Sequence, residues 1–367
     1  MADRGGPVND LLERAVSAGQ VTGAVAVWGR DEASLRGVRA GCAALRPVAA
    51  PAVDETWFDL ASLTKPLVTT TLCLLGFRCG ALEPTDRVGA LVPETRGSEI
   101  ADLELASIVT HSSGLPAWLP LYCLAEGEPR RLPERLKRIG LEARPGTRVR
   151  YSCVGFVIAG MMLERAAGKP LEQLFSEQVL RPLGLEERLG FHPDPERRPL
   201  AGAAAAPDAE TLLVRELGAD PSFIPPVGTG LPDDGNARFL GGVAGNAGLF
   251  GSARGVWRLA AEYANPAGEL LTAGEAAAAT RSHTGGLEQA RGYGWQLAAT
   301  AGCSAGPALP PSAFGHTGFT GVSVWAERGG ATYVLLANRV HPAHRSLDLH
   351  PLRRRFHQLA RIALPRF

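Results

Sequence analysis

The sequence predicts an α/β (α+β) fold: one antiparallel sheet built from both ends of the chain and flanked by helices, with a mainly helical region inserted between. Three observations predict it. Strand-like segments fall near the two ends, and helical spacing dominates the middle. The 367 residues, 45% apolar and 20% charged, suffice for one large core or two intimate ones. The expected division is a sheet-containing unit, residues 1–79 with 241–367, interrupted by a helical insert at 80–240.

In order, Asp10–Ala18 has the spacing of an amphipathic helix, and Val21–Trp28 reads as a buried strand. Arg36–Cys42 can pair back against that strand. A Pro- and Ala-rich loop at Pro47–Pro51 leads to Trp57–Ala61 and an apolar helix over Ser62–Gly76. Within the insert, helices are expected near Leu103–Thr110, Pro133–Ile139, Cys153–Ala167 and Leu171–Leu180. Asp208–Ala237, with four prolines, is expected to be irregular and to help wall a site. Beyond it, Arg254–Ala264 reads as helix and Gly292–Ala299 as strand. Gly321–Glu327 and Ala331–Asn338 read as a hairpin, and Leu352–Leu364 as a closing helix. A groove is expected where sheet and insert meet.

Composition removes several function classes. A formal net charge of +1 gives no electrostatic case for nucleic acid or an anionic membrane surface. No apolar run has the length of a membrane span. Met1–Asn9 is polar and lacks the basic start and apolar core of a secretion signal, so a cytoplasmic setting is expected. The six cysteines include no CxxC pair and are expected to be free thiols, with no metal site. His341, His344, His350 and His357 have no matching carboxylate cluster and read as solvated or structural, and His111 as a loop histidine.

Three short elements could carry chemistry. Ser62 and Lys65, at i and i+3 where a helix begins, share a face. A helix N-terminus is expected to lower the lysine's pKa, so that a neutral amine takes the serine proton. Tyr151-Ser152-Cys153 stands between a loop and an apolar helix, where a phenol can face a cleft and, near a cation, act as acid or base. Gly315-His316-Thr317-Gly318 precedes a strand, and its glycines suit close approach of a substrate. The N–H of Phe319 is placed there to donate to an oxyanion.

In this order and spacing, the three elements resemble the serine β-lactamase and penicillin-binding protein superfamily, with parent motifs S-x-x-K, S-D-N and K-T-G. The spelling is similar to the class C β-lactamase-like branch, with its D,D-carboxypeptidases, D-aminopeptidases and short-chain esterases. Blocks similar to that branch run from Phe58–Pro66 (FDLASLTKP) through Ile108–Pro116 (IVTHSSGLP) and Gly241–Ser252 (GGVAGNAGLFGS) to Val334–Pro342 (VLLANRVHP).

The resemblance implies Ser62 as acylated nucleophile, Lys65 as its proton partner and Tyr151 as general base and acid. It implies His316 in place of the third-motif lysine and Thr317 and Gly318 beside the substrate. The N–H groups of Ser62 and Phe319 would form the oxyanion hole. No metal or organic cofactor is implied. One departure is Cys153, where the family's second motif has asparagine, because a thiol is a weak donor and weak acceptor. That favours simple esters over peptides or β-lactams, whose side-chain amide needs the missing partner. Asn246 stands where relatives often carry histidine.

The expected function is a serine hydrolase acting on a small ester or amide, with no nucleic-acid or membrane partner and its oligomeric state open. The alternatives are a D,D-peptidase, D-aminopeptidase or weak β-lactamase, and a catalytically impaired binding protein that keeps the fold.

Overall fold

The computed structural model describes residues 6–45, 49–202, 207–339 and 348–364. Helix α1 (Pro7–Ser17) opens the chain, with Pro7 in its first turn and Val8, Leu12 and Ala15 buried on one face. Strands β1 (Val21–Gly29), β2 (Arg36–Ala44), β3 (Ala50–Pro51) and β4 (Phe58–Asp59) follow, then α2 (Thr71–Cys79). The middle of the chain contributes α3 (Cys153–Ala167), β5 (Leu189–Gly190) and α4 (Pro207–Glu216), besides shorter helices. The chain returns through β6 (Phe250–Gly251), α5 (Ala253–Ala264), β7 (Gln296–Leu297), β8 (Phe314–Thr317), β9 (Ser323–Ala326) and β10 (Thr332–Arg339). It closes with α6 (His350–Ile362).

The sheet is antiparallel in the order β3-β2-β1-β10-β9-β8-β7, so the first long strand and the last one meet at its centre. Val25 opposes Leu336 and Val27 opposes Val334 across that seam. Because side chains alternate along a strand, each of these strands feeds two cores. Val25, Val334 and Leu336 face the larger core with α2, α3 and α5. Ala24, Trp28, Tyr333 and Leu335 face the other, against Leu12 of α1 and Phe356 of α6. Each such large side chain contributes roughly 1.5–3 kcal/mol on full burial, so covering both faces is what stabilises this seam.

Four expectations need correction. Asp208–Ala237 is not irregular throughout. The stretch Pro207–Glu216 is helical because its good helix formers all precede the four prolines at 221, 225, 226 and 232. The strand expected over Gly292–Ala299 shrinks to Gln296–Leu297. Gly294, at φ +70°, turns the backbone against Pro66 and Thr70, where a Cβ would not fit. A second sheet, β4-β6-β5, went unforeseen because its two-residue strands carry no periodic signal.

The helix expected from Ser62 is also not uniform. Ser62 lies in a 3-10 turn (Ala61–Leu63), Lys65–Thr70 forms a π-type segment, and regular α-helix begins only at Thr71. Pro66 in the second position of that segment cannot donate a backbone hydrogen bond. His341 and His344 lie outside the described residues. His350 reaches the Gly302 carbonyl, and His357 is buried against Ser323, so both are structural.

Candidate active site

The three elements converge where β4, α3 and β8 meet. Asp59 of β4 accepts the Ala61 N–H at 2.8 Å, and Thr320 donates to the Asp59 carbonyl at 2.7 Å. Together they hold Ala61 at φ +45°, a sparsely populated conformation for a residue with a Cβ. That turn presents Ser62. Leu60 N–H to Leu249 O, and Thr64 Oγ1 accepting from Leu249 N–H, tie it to the segment before β6.

Helix α3 supplies the second element. Its cap is Ser152, whose Oγ accepts from Gly155 N–H at 3.0 Å. His111, at φ +59°, holds the preceding residues from both sides. Its carbonyl accepts from Arg150 N–H at 2.7 Å and its Nδ1 from Ser152 N–H at 3.0 Å. Its ring lies 4.6 Å from that of Tyr151. The expected loop histidine therefore braces Tyr151.

Ser62 Oγ receives hydrogen bonds from Lys65 Nζ at 2.9 Å and Tyr151 Oη at 2.8 Å. Lys65 is wholly buried. Its other donors reach the Asn246 carbonyl at 3.0 Å and Cys153 Sγ at 3.5 Å. The Asn246 carbonyl gets there because Gly245 packs on α3, where a Cβ would collide with the Phe156 carbonyl. Asn246 thus serves the lysine through its backbone, while its buried side-chain amide has no partner among the described residues.

The expected fall in the lysine's pKa is a further correction. Burial works against its charge, but Cys153 and Tyr151 beside it outweigh that, and its pKa lies above the ordinary lysine value. That direction favours the ammonium form of Lys65 over the neutral amine. Burial also raises the Tyr151 phenol, with Lys65 opposing. His316 is pushed well below the ordinary histidine value by burial, then by Lys65 and Arg291, so it is neutral.

Ser62, Tyr151, Cys153, His316, Thr317, Gly318 and Phe319 line one cavity of about 650 Å³, with Lys65 beneath its floor. All eight candidate residues are therefore brought together. Phe319 is 45% exposed at the mouth. Glu210, Leu213, Asp233 and Asp234 also line it, from the segment Asp208–Ala237 that was expected to help wall a site, whereas Trp118, Arg291 and Arg353 were missed. The three missed residues come from two loops and from α6, with no motif to mark them. Among the described residues, no group of three or more His, Cys, Asp or Glu is placed to hold a metal ion.

Lysine and tyrosine thus meet the serine through hydrogen bonds to Ser62 Oγ, at the base of a cavity walled by the end of β8. The Beta-lactamase family model matches residues 8–358, and the chain belongs to that family of serine hydrolases. It is 30% identical to a putative D-alanyl-D-alanine carboxypeptidase of Escherichia coli (strain K12), over 79% of this chain and 70% of that one. It is 31% identical to esterase EstB of Burkholderia gladioli, over 78% and 76%. Among solved structures, a class C beta-lactamase superposes with a TM-score of 0.70 at 18% identity, covering 95% of this chain and 94% of that one. That last likeness concerns the fold alone.

Proposed function

We propose that this chain is a hydrolase that cleaves small esters, or amides, through an acyl intermediate on Ser62. The observation that carries the reading is the pair of hydrogen bonds from Lys65 and Tyr151 to Ser62 Oγ on the floor of the cavity. In this reading Tyr151, as phenolate, takes the Ser62 proton while Oγ forms its bond to the substrate carbonyl carbon. The Lys65 ammonium stabilises that phenolate, which replaces the neutral-lysine route expected from the sequence. The N–H groups of Ser62 and Phe319 receive the carbonyl oxygen as it gains charge. The C–O or C–N bond then breaks, Tyr151 protonates the leaving group, and water repeats the sequence to release the acid.

Cys153 supports the ester preference, since a thiol gives an acyl-side amide little to bond with. The esterase and carboxypeptidase relatives support both readings of the leaving group, so a D-amino acid peptidase or weak β-lactamase is the second reading. The six free cysteines fit a reducing, cytoplasmic setting. No helix among the described residues is long and apolar enough to cross a membrane.

The test is p-nitrophenyl butyrate turnover by the wild type and Ser62→Ala, with intact mass taken during turnover. Activity confined to the wild type, with an acyl adduct on it, is expected. No turnover and no adduct would overturn the ester reading, and labelling with a penicillin would then separate a peptidase from a binding protein.

A further inference from the structure

We propose that His111 is a positioning residue for Tyr151: its buried, uncharged ring keeps water off the phenol and so sets how readily Tyr151 gives up its proton. This rests on the role given to Tyr151 above and deepens it. His111 is wholly buried and sits at φ +59°, a left-handed conformation that a residue with a Cβ rarely adopts. Its carbonyl accepts from Arg150 N–H at 2.7 Å and its Nδ1 from Ser152 N–H at 3.0 Å, one residue to either side of Tyr151. The ring packs on Tyr151 and Phe156, with centres 4.6 and 5.0 Å away. Backbone strain of this kind persists only where the surroundings enforce it, and it collects at sites.

The hydrogen bonds also fix the state of the ring. Nδ1 accepts, so the proton sits on Nε2, which has no partner among the described residues. A buried N–H without a partner costs stability, so this ring is a poor device for the fold alone. A second proton on Nδ1 would break the bond to Ser152 and add a charge beside the cations Arg291 and Lys65, with His316 also facing the ring. Burial, then those cations, hold His111 well below the ordinary histidine value, and it is neutral. Around Tyr151 itself stand Ser62, Lys65, Cys153, His316 and Arg291. Lys65 and Arg291 favour the phenolate, Cys153 opposes it, and His316 is uncharged. The largest influence on the phenol is its burial, which favours the protonated form. Of the two imidazoles against it, His111 is the nearer, at 4.6 Å against 5.8 Å for His316. Removing the His111 ring is therefore the direct way to uncover the phenol.

The test variant is His111→Asn, whose side-chain oxygen can take the place of Nδ1 and whose backbone tolerates positive φ. It leaves room for roughly one water beside Tyr151. The pH profile of kcat/KM for p-nitrophenyl butyrate reads the effect. In His111→Asn the rising limb should move to lower pH by about one unit, because water stabilises the phenolate. The plateau should fall about tenfold, as the phenol loses fixed placement and basicity. A profile lowered equally at every pH, or left unchanged, overturns the proposal. A second readout needs no turnover. With tyrosine labelled with 13C at Cζ, the Tyr151 resonance, identified by its loss in Tyr151→Phe, should start toward its phenolate position at lower pH in His111→Asn than in the wild type. A resonance that behaves alike in both overturns the proposal. In the wild type alone, 15N spectra should show the His111 ring neutral, with its proton on Nε2, from about pH 5 to 9. A ring that titrates near 6.5 overturns the proposal whether or not the variant folds. No ester turnover by the wild type, with the Tyr151 resonance displaced as expected, would sink the ester reading and leave the role of His111 standing.

Discussion

The Lys65 ammonium lies 3.5 Å from Cys153 Sγ, while its other two donors have oxygen partners at 2.9 and 3.0 Å. An ammonium has three donors, and here the third ends on a sulfur, the weakest of its acceptors. Cys153 also lines the cavity, so the same atom faces both the buried charge and the substrate.

Replacing it by asparagine would give Lys65 a carbonyl oxygen and the cavity an N–H donor. Cys153→Asn is therefore expected to shift preference toward substrates with an acyl-side amide, by about tenfold, the scale of one added hydrogen bond. The ratio of kcat/KM for an N-acylaminoacyl ester to that for p-nitrophenyl butyrate, measured in both proteins, decides it. An unchanged ratio would mean that no substrate amide reaches position 153.

The proton path has its own signature. Ser62→Ala should lose turnover with the fold intact by circular dichroism, because Ser62 is a surface of the cavity and not part of a core. Tyr151→Phe should cost at least ~10²-fold in kcat, as loss of a general base does. Lys65→Ala should cost as much for a different reason, since the phenolate would then form without its counter-charge. Full activity in Lys65→Ala would remove the lysine from the mechanism.

Much of this site was legible because its key residues sit in short motifs whose spacing alone puts them on one face or at one turn. Ser62 and Lys65 are three apart, and Cys153–Ala167 is apolar enough to be read as helix to the residue. The charge states were not legible. The lysine's pKa depends on Cys153 and Tyr151, 88 and 86 positions away, which no local rule brings together. Arg291 was hidden for a related reason: Gly292 and Gly294 were read as part of a strand, whereas Gly294 in fact makes a turn. In the fold, the long alternating strands were visible, and the two-residue strands β4, β5 and β6 were too short to be.

The pH dependence of activity follows from those charge states. Tyr151 must lose a proton that burial makes it keep, so kcat/KM should rise with pH above neutrality. His316 is already neutral, so no inflection from it is expected between pH 5 and 7. A pH profile on an uncharged ester checks both. A bell with its acid limb near 6.5 would point to a titrating histidine and contradict the neutral His316.

Stability should run the other way, through Asp59. Its carboxylate accepts N–H bonds from Ala61 and Asp233 at 2.8 and 2.7 Å, yet burial raises its pKa from 3.8 to about 7. Between those values the folded chain holds a proton that the unfolded chain has lost, so stability falls as pH rises through the window. For the wild type this one group should cost about 2–3 kcal/mol between pH 5 and pH 8. Asp59→Asn removes the titration, so the difference between its urea stabilities at pH 5 and pH 8 should be smaller by that amount. Because the same carboxylate fixes the strained Ala61 before Ser62, the energy it costs above pH 7 is spent on the turn that presents the nucleophile. Equal pH slopes in the two proteins would show that Asp59 is ionised at little cost, and that the turn is held without strain from this charge.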